Sequence, residues 1–220
     1  DFYDFFRLPD GRIYFSIADV AGKGMNAALL MAKTTSLLRC LAKTTPDPGE
    51  LLGRVNDEIC ETASMGMFVT IVAGFVEPQA HRIVLSNGGH LPPLLRAHDG
   101  SYTELPPQMP PLGIVAGLVY PTDTLVLDGG CVYLFTDGLT ESLDASSKQL
   151  GLAGVRRLLD SVAGETPDAR LPAIITELEA TSRRFNDDIT MLLIELGEPV
   201  LALQFAADPR ELAQVRTAVQ

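Results

Sequence analysis

Hydrophobic and polar positions change period several times along the chain. Phe2 to Leu8 is apolar and aromatic, Pro9-Asp10-Gly11 carries turn residues, and Arg12 to Ala18 alternates with Ile13, Phe15 and Ile17 on one face. That order predicts a β-hairpin. A glycine-containing loop, Asp19 to Gly24, leads into Met25 to Ala42, where Ala27, Leu30, Met31, Leu37, Leu38 and Leu41 recur at helical spacing. A second helix has a defined start: Asp47 caps it, Pro48 suits the first turn and Glu50 completes a capping box, with Leu51, Leu52, Val55 and Ile59 as its buried face. Strand-like stretches follow at Phe68 to Val76, Arg82 to Ser86, Pro92 to Arg96 and Tyr102 to Leu105. Pro106 to Gly117 holds four prolines and two glycines and reads as a surface loop. Thr122 to Leu127 and Cys131 to Thr136 read as a further hairpin, Leu150 to Val162 and Pro167 to Ala180 as two helices, and Ile189 to Leu196 as a final strand.

Helices therefore arrive in pairs and do not alternate with strands. This excludes a doubly wound parallel sheet and predicts an α+β fold, antiparallel sheets with helix pairs packed outside. From Val200 the pattern changes. Leu201, Leu203 and Phe205 alternate, and Asp208-Pro209-Arg210-Glu211 is another capped helix start. One strand and part of a helix cannot bury a core, so residues 198–220 are expected to open a second domain after a first one of residues 1–197.

Composition narrows the function. Of 220 residues, 46% are hydrophobic and 20% charged, which excludes disorder, collagen and disulfide miniproteins. The longest apolar run, Met65 to Val76, is interrupted by Gly66, Thr70 and Gly74, so no membrane segment is predicted. A net charge of −11 repels a phosphate backbone and argues against nucleic acid. Cys40, Cys60 and Cys131 lack metal-type spacing and read as buried hydrophobes in a reducing, cytoplasmic compartment; Met25, Met31, Met65 and Met67 read as core. The first residue is Asp, with no signal peptide before it, so the chain is expected to be an excerpt.

Acidic residues fall at strand ends. Asp1 begins the first strand, Asp19 and Asp137 close apolar strands, and Asp187-Asp188 precede Ile189. Clustered buried carboxylates are costly without a cation, and oxygen donors with no His or Cys cluster point to Mg²⁺ or Mn²⁺. Each position also has a plainer reading: Asp137-Gly138 as a turn, Asp19 as a helix cap, Asp187-Asp188 as a solvated loop. Lys23 in Gly22-Lys23-Gly24 lies in the loop after Asp19, where it is either a phosphate contact or an ordinary loop lysine. The spacing is not that of a Walker loop. His90, after Gly88-Gly89 and before Leu91-Pro92-Pro93, is open between a structural turn and chemistry.

Five segments in order, DFYDFF, IADVAGKGMNAALLMA, SNGGHLPP, LFTDGLTES and NDDITMLLI, resemble the metal-dependent serine/threonine phosphatases of the RsbU and SpoIIE type, a bacterial branch of the protein phosphatase 2C superfamily. The resemblance covers about residues 1 to 197. It implies an antiparallel β-sandwich flanked by helix pairs and two Mn²⁺ or Mg²⁺ ions. In that frame Asp19 bridges both ions, the Val20 carbonyl binds one, Asp137 and Asp187 hold the other ion, and Asp1 completes the second ion's shell. The chemistry implied is attack on phosphoserine or phosphothreonine by water activated between the ions. The expected substrate is a phosphorylated STAS-domain anti-anti-sigma factor in a partner-switching pathway, with fused sensor and kinase-like domains. The tail resembles the opening of a kinase-like ATPase of the anti-sigma-factor type. Ala21 stands where eukaryotic relatives carry a proposed general-acid His. The competing expectation is a non-catalytic signalling module of the same fold that binds a partner protein.

Overall fold

The computed structural model describes residues 1–61, 66–144, 147–181, 188–196 and 201–206. The chain forms two compact units, residues 1–92 with 106–127, and residues 93–105 with 128–220.

In the first unit, β1 (Phe2–Arg7), β2 (Ile13–Val20), β3 (Val69–Glu77), β4 (Arg82–Gly88) and β7 (Asp123–Val126) form one antiparallel sheet in the order β1-β2-β3-β4-β7. The predicted first hairpin is present, with Phe5 opposite Phe15. Helices α1 (Met25–Leu41) and α2 (Pro48–Cys60) cover one face. Tyr14, Ala18, Val69, Ile71, Ala73 and Phe75 of the strands pack there with Leu30, Leu38, Leu51, Leu52, Val55 and Ile59 of the helices. All are buried, each worth on the order of 1–3 kcal/mol in side-chain transfer for the larger ones. The Asp47 half of the predicted α2 cap is present: Asp47 Oδ1 accepts the Glu50 N–H at 2.8 Å, while its Oδ2 accepts the Thr122 hydroxyl at 2.9 Å. Arg39 of α1 grips Asp4 of β1 with two hydrogen bonds of 2.5 and 2.6 Å, tying the helix to the sheet edge.

The second unit holds β5 (Leu94–Arg96), β6 (Tyr102–Glu104), β8 (Cys131–Phe135), β9 (Met191–Leu196) and β10 (Leu201–Ala206), antiparallel in the order β10-β9-β8-β5-β6. Its helices are α3 (Asp137–Glu141), α4 (Gly151–Ser161) and α5 (Pro167–Thr181). The backbone of residues 201–206 thus pairs with β9. Arg170 of α5 donates to Glu195 of β9 at 2.6 Å. Burial pushes the Glu195 carboxyl above its ordinary range, and Arg170 offsets only part of that.

Four expectations are corrected. β7 and β8 are not a hairpin: β7 pairs with β4 and β8 with β5 and β9, so the Asp128-Gly129-Gly130 turn carries the chain from one sheet to the other. The proline-rich stretch is not only surface: Leu112 exchanges both backbone hydrogen bonds with Val69 and is fully buried. Cys40 is exposed and Cys60 half-buried, leaving Cys131 as the buried thiol. Met25, the first residue of α1, is 75% exposed, whereas Met67 packs against the core; Met65 lies outside the described residues. Among the described residues no helix is long and apolar enough to cross a membrane.

Candidate functional site

Asp19 sits one residue before the end of β2, where it is register partner to Thr70 of β3. The Ala21 N–H donates to the Phe68 carbonyl at 2.9 Å, and Val69 spends its own N–H and C=O on Leu112. Val20 and Val69 are therefore a non-hydrogen-bonded pair, and the alternation of an antiparallel ladder makes Asp19 and Thr70 a hydrogen-bonded one. The same alternation turns the Val20 carbonyl away from β3, toward the β1 side of the strand. Continuing the β1–β2 register from Phe2 opposite Ala18 sets Asp1 against Asp19. That is a non-hydrogen-bonded position, where facing side chains come closest. Two like charges there are destabilising, and a cation between them removes the penalty. Carboxylates with one outward carbonyl form an all-oxygen donor set that fits a hard divalent cation.

Beyond Val20 the loop turns through Gly22 at φ 111° and Gly24 at φ 85°, conformations open to glycine. Lys23 between them is exposed. On the other side of Thr70, His90 is buried, with its Nδ1 2.9 Å from the Thr70 hydroxyl oxygen. Asn87 Oδ1 accepts the His90 N–H at 2.8 Å and its Nδ2 donates to the His90 carbonyl at 3.2 Å. Thr70 and Asn87 are not singled out by the sequence: Thr70 reads as a break in an apolar run, and Asn87 only as one residue of the SNGGHLPP segment.

In the second unit, Asp137 is exposed in the first turn of α3, immediately after the buried N-cap Thr136. Asp137-Gly138 is thus a helix start rather than an isolated turn. The Thr136 N–H donates to the Thr190 carbonyl at 3.1 Å, and the Thr190 N–H donates to Thr136 Oγ1 at 3.1 Å. That side-chain bond ends the main-chain ladder, so β9 begins at Met191 and not at Ile189. Gly138 packs against the next residues back: a Cβ on it would lie 2.0 Å from the Asp188 carbonyl oxygen. Asp188 is exposed. Asp187, the expected ligand, lies outside the described residues. Among the described residues, no group of three or more His, Cys, Asp or Glu gathers to hold a metal.

Comparison with known proteins supplies the family. IcfG of Synechocystis is 28% identical over 88% of this chain, and the phosphoserine phosphatase RsbU of Bacillus subtilis is 29% identical over 64% of it. The chain spans 35% and 42% of the lengths of those two relatives. Among solved structures, the RsbU and RsbW domains of a Mycobacterium tuberculosis protein match with a TM-score of 0.71 at 26% identity, covering 92% of this chain and 58% of that one. The SiaA-PP2C domain of Pseudomonas aeruginosa matches with a TM-score of 0.77 at 18% identity, covering 89% of this chain and 80% of that one, which establishes a protein phosphatase 2C-like fold. The sequence profile of Stage II sporulation protein E (SpoIIE) matches residues 9–197, and on that match this chain belongs to the SpoIIE family.

Proposed function

We propose that this chain is a metal-dependent phosphoprotein phosphatase that hydrolyses phosphoserine or phosphothreonine. The observation that carries the reading is Asp19 at the end of β2, beside a Val20 carbonyl turned toward the β1 side, with Asp1 set across from it when the β1–β2 register is continued by one residue. Membership of the SpoIIE family and the likeness to the phosphoserine phosphatase RsbU support it. The proposed ligands are Asp1, Asp19, the Val20 carbonyl, Asp137 and Asp187, for two Mn²⁺ or Mg²⁺ ions. When bound, such ions acidify water to a nucleophile near neutral pH and neutralise phosphoryl oxygens. The chain's own part is to hold oxygens on rigid backbone. Asp19 is fixed by the β2–β3 ladder, and Asp137 by the Thr136–Thr190 bonds and the Gly138 contact. Lys23, exposed on its glycine-flanked loop, is the proposed contact for the substrate phosphate or an acidic substrate surface.

The proposed substrate is a phosphorylated STAS-domain anti-anti-sigma factor in a partner-switching pathway of the cytoplasm. Residues 198–220 are read as the opening of a kinase-like ATPase domain, in keeping with the match to a protein carrying both RsbU and RsbW domains. The test is hydrolysis of p-nitrophenyl phosphate and of a phospho-STAS protein with Mn²⁺, with Mg²⁺ and with excess EDTA. Metal-dependent turnover is expected, and Asp137→Asn, which keeps the shape and loses the charge, is expected to lower it by orders of magnitude. A folded, metal-loaded, monodisperse sample with no turnover of either substrate overturns the enzyme reading in favour of a partner-binding module.

A further inference from the structure

His90 is held more firmly than a turn residue needs to be. Asn87 brackets it with one hydrogen bond to its N–H and one to its carbonyl, across the Gly88-Gly89 step. Gly89 has φ 71°, and a Cβ there would lie 2.5 Å from Pro111 Cδ, so the proline-rich segment closes over the same loop. His90 as a whole is 4% exposed. Its Nδ1 is 2.9 Å from Thr70 Oγ1. Thr70 in turn is the hydrogen-bonded register partner of Asp19. Asn87, His90, Thr70 and Asp19 therefore form one continuous series of contacts, from the end of β4 across β3 to the end of β2.

We propose that His90 is a positioning residue: through Thr70 it fixes the Asp19–Val20 segment in the arrangement that holds a divalent cation. This rests on the reading of Asp19 as a ligand. The physical need is plain. Asp19 and Val20 lie where β2 runs out into a glycine loop, with ladder support on the β3 side coming from Thr70 and, one step on, from Phe68. Strand ends fray unless side chains hold them. A hydroxyl–imidazole tie at Thr70 supplies that hold from a buried, doubly bracketed ring, in the way that residues behind metal ligands set ligand orientation.

The test separates position from bulk. An Asn amide at residue 90 puts a polar atom near the place of Nδ1, whereas a Gln amide puts it near Nε2. Mn²⁺ affinity of the whole chain is measured by calorimetry, with thermal melting of the metal-free protein alongside, for His90→Asn, His90→Gln, Thr70→Ser, Thr70→Val, His90→Gln with Thr70→Val, and Asp19→Asn. Expected are affinities weakened about tenfold in His90→Gln and Thr70→Val, near-native values in His90→Asn and Thr70→Ser, and a double variant no weaker than the singles. If His90→Gln does not fold, the Thr70 pair decides. Equal affinities for Asn and Gln at 90, or for Ser and Val at 70, overturn the proposal and leave the ligand reading standing, provided that Asp19→Asn weakens Mn²⁺ binding. Unchanged binding in Asp19→Asn overturns both.

Discussion

Gly138 gives the sharpest handle on the second unit. Replacing it with Ala adds a Cβ that the observed backbone would place 2.0 Å from the Asp188 carbonyl oxygen. Real Cβ atoms essentially never approach closer than 3.0 Å, so α3 and the approach to β9 must part by about 1.0 Å or more. Backbone lies on both sides of the contact, so no flexible side chain can absorb the shift. Overpacking of this kind costs about 1–3 kcal/mol. A displacement of about 1 Å in catalytic geometry costs on the order of a hundredfold in rate. Gly138→Ala is therefore expected to lose about 1–3 kcal/mol in urea unfolding and about a hundredfold in Mn²⁺-dependent turnover, because Asp137 precedes Gly138 directly and Asp188 is the other side of the contact. Gly164→Ala is the control, since a Cβ there meets nothing within 4 Å. It should change stability by less than about 0.5 kcal/mol and leave turnover alone. Native stability and native turnover in Gly138→Ala would refute the reasoning, whatever the control does.

Two further outcomes follow from other parts of the molecule. Asp47→Ala removes the acceptor for both the Glu50 N–H and the Thr122 hydroxyl and should destabilise by about 1–2 kcal/mol in urea unfolding, with metal affinity unchanged. Glu195 has a folded-state pKa raised above its ordinary 4.5 by burial, so the unfolded chain gives up this proton first as pH rises. The stability of the native protein minus that of Glu195→Gln should fall as pH climbs through the window above 4.5; a difference that rises there contradicts the assignment.

Much of the fold was legible locally. Asp47, Pro48 and Glu50 announced α2 because capping is a matter of three or four neighbouring residues. The alternation of Ile13, Phe15 and Ile17 announced β2 for the same reason. The error at Thr122 to Thr136 has the opposite origin: Asp128-Gly129-Gly130 satisfies any turn, and whether the next strand joins its neighbour or another sheet is decided by distant partners, β4 on one side and β9 on the other. Leu112 was hidden by its prolines, since its burial comes from a pairing with Val69 that is 43 positions away in sequence. At the candidate site the carboxylates were visible as polar residues at the ends of apolar runs. Thr70 and Asn87 were not, because their importance is to hold other groups, and nothing in their own spacing reveals what they hold.

The path of the chain between its two units also constrains how the protein can be made. The polypeptide leaves the first unit after residue 92, returns at 106 and leaves again after 127. During synthesis the sheet that carries Asp19 cannot receive its last strand, β7, until the β5–β6 hairpin of the other unit has already emerged. That hairpin must then wait, with one edge unpaired, for β8 at residues 131–135. Unpaired strand edges invite association with other chains, and pairings between sequence-distant strands form slowly. A nascent chain arrested between residues 92 and 123 presents β4 as an open edge, so premature termination in this window exposes the molecule to aggregation.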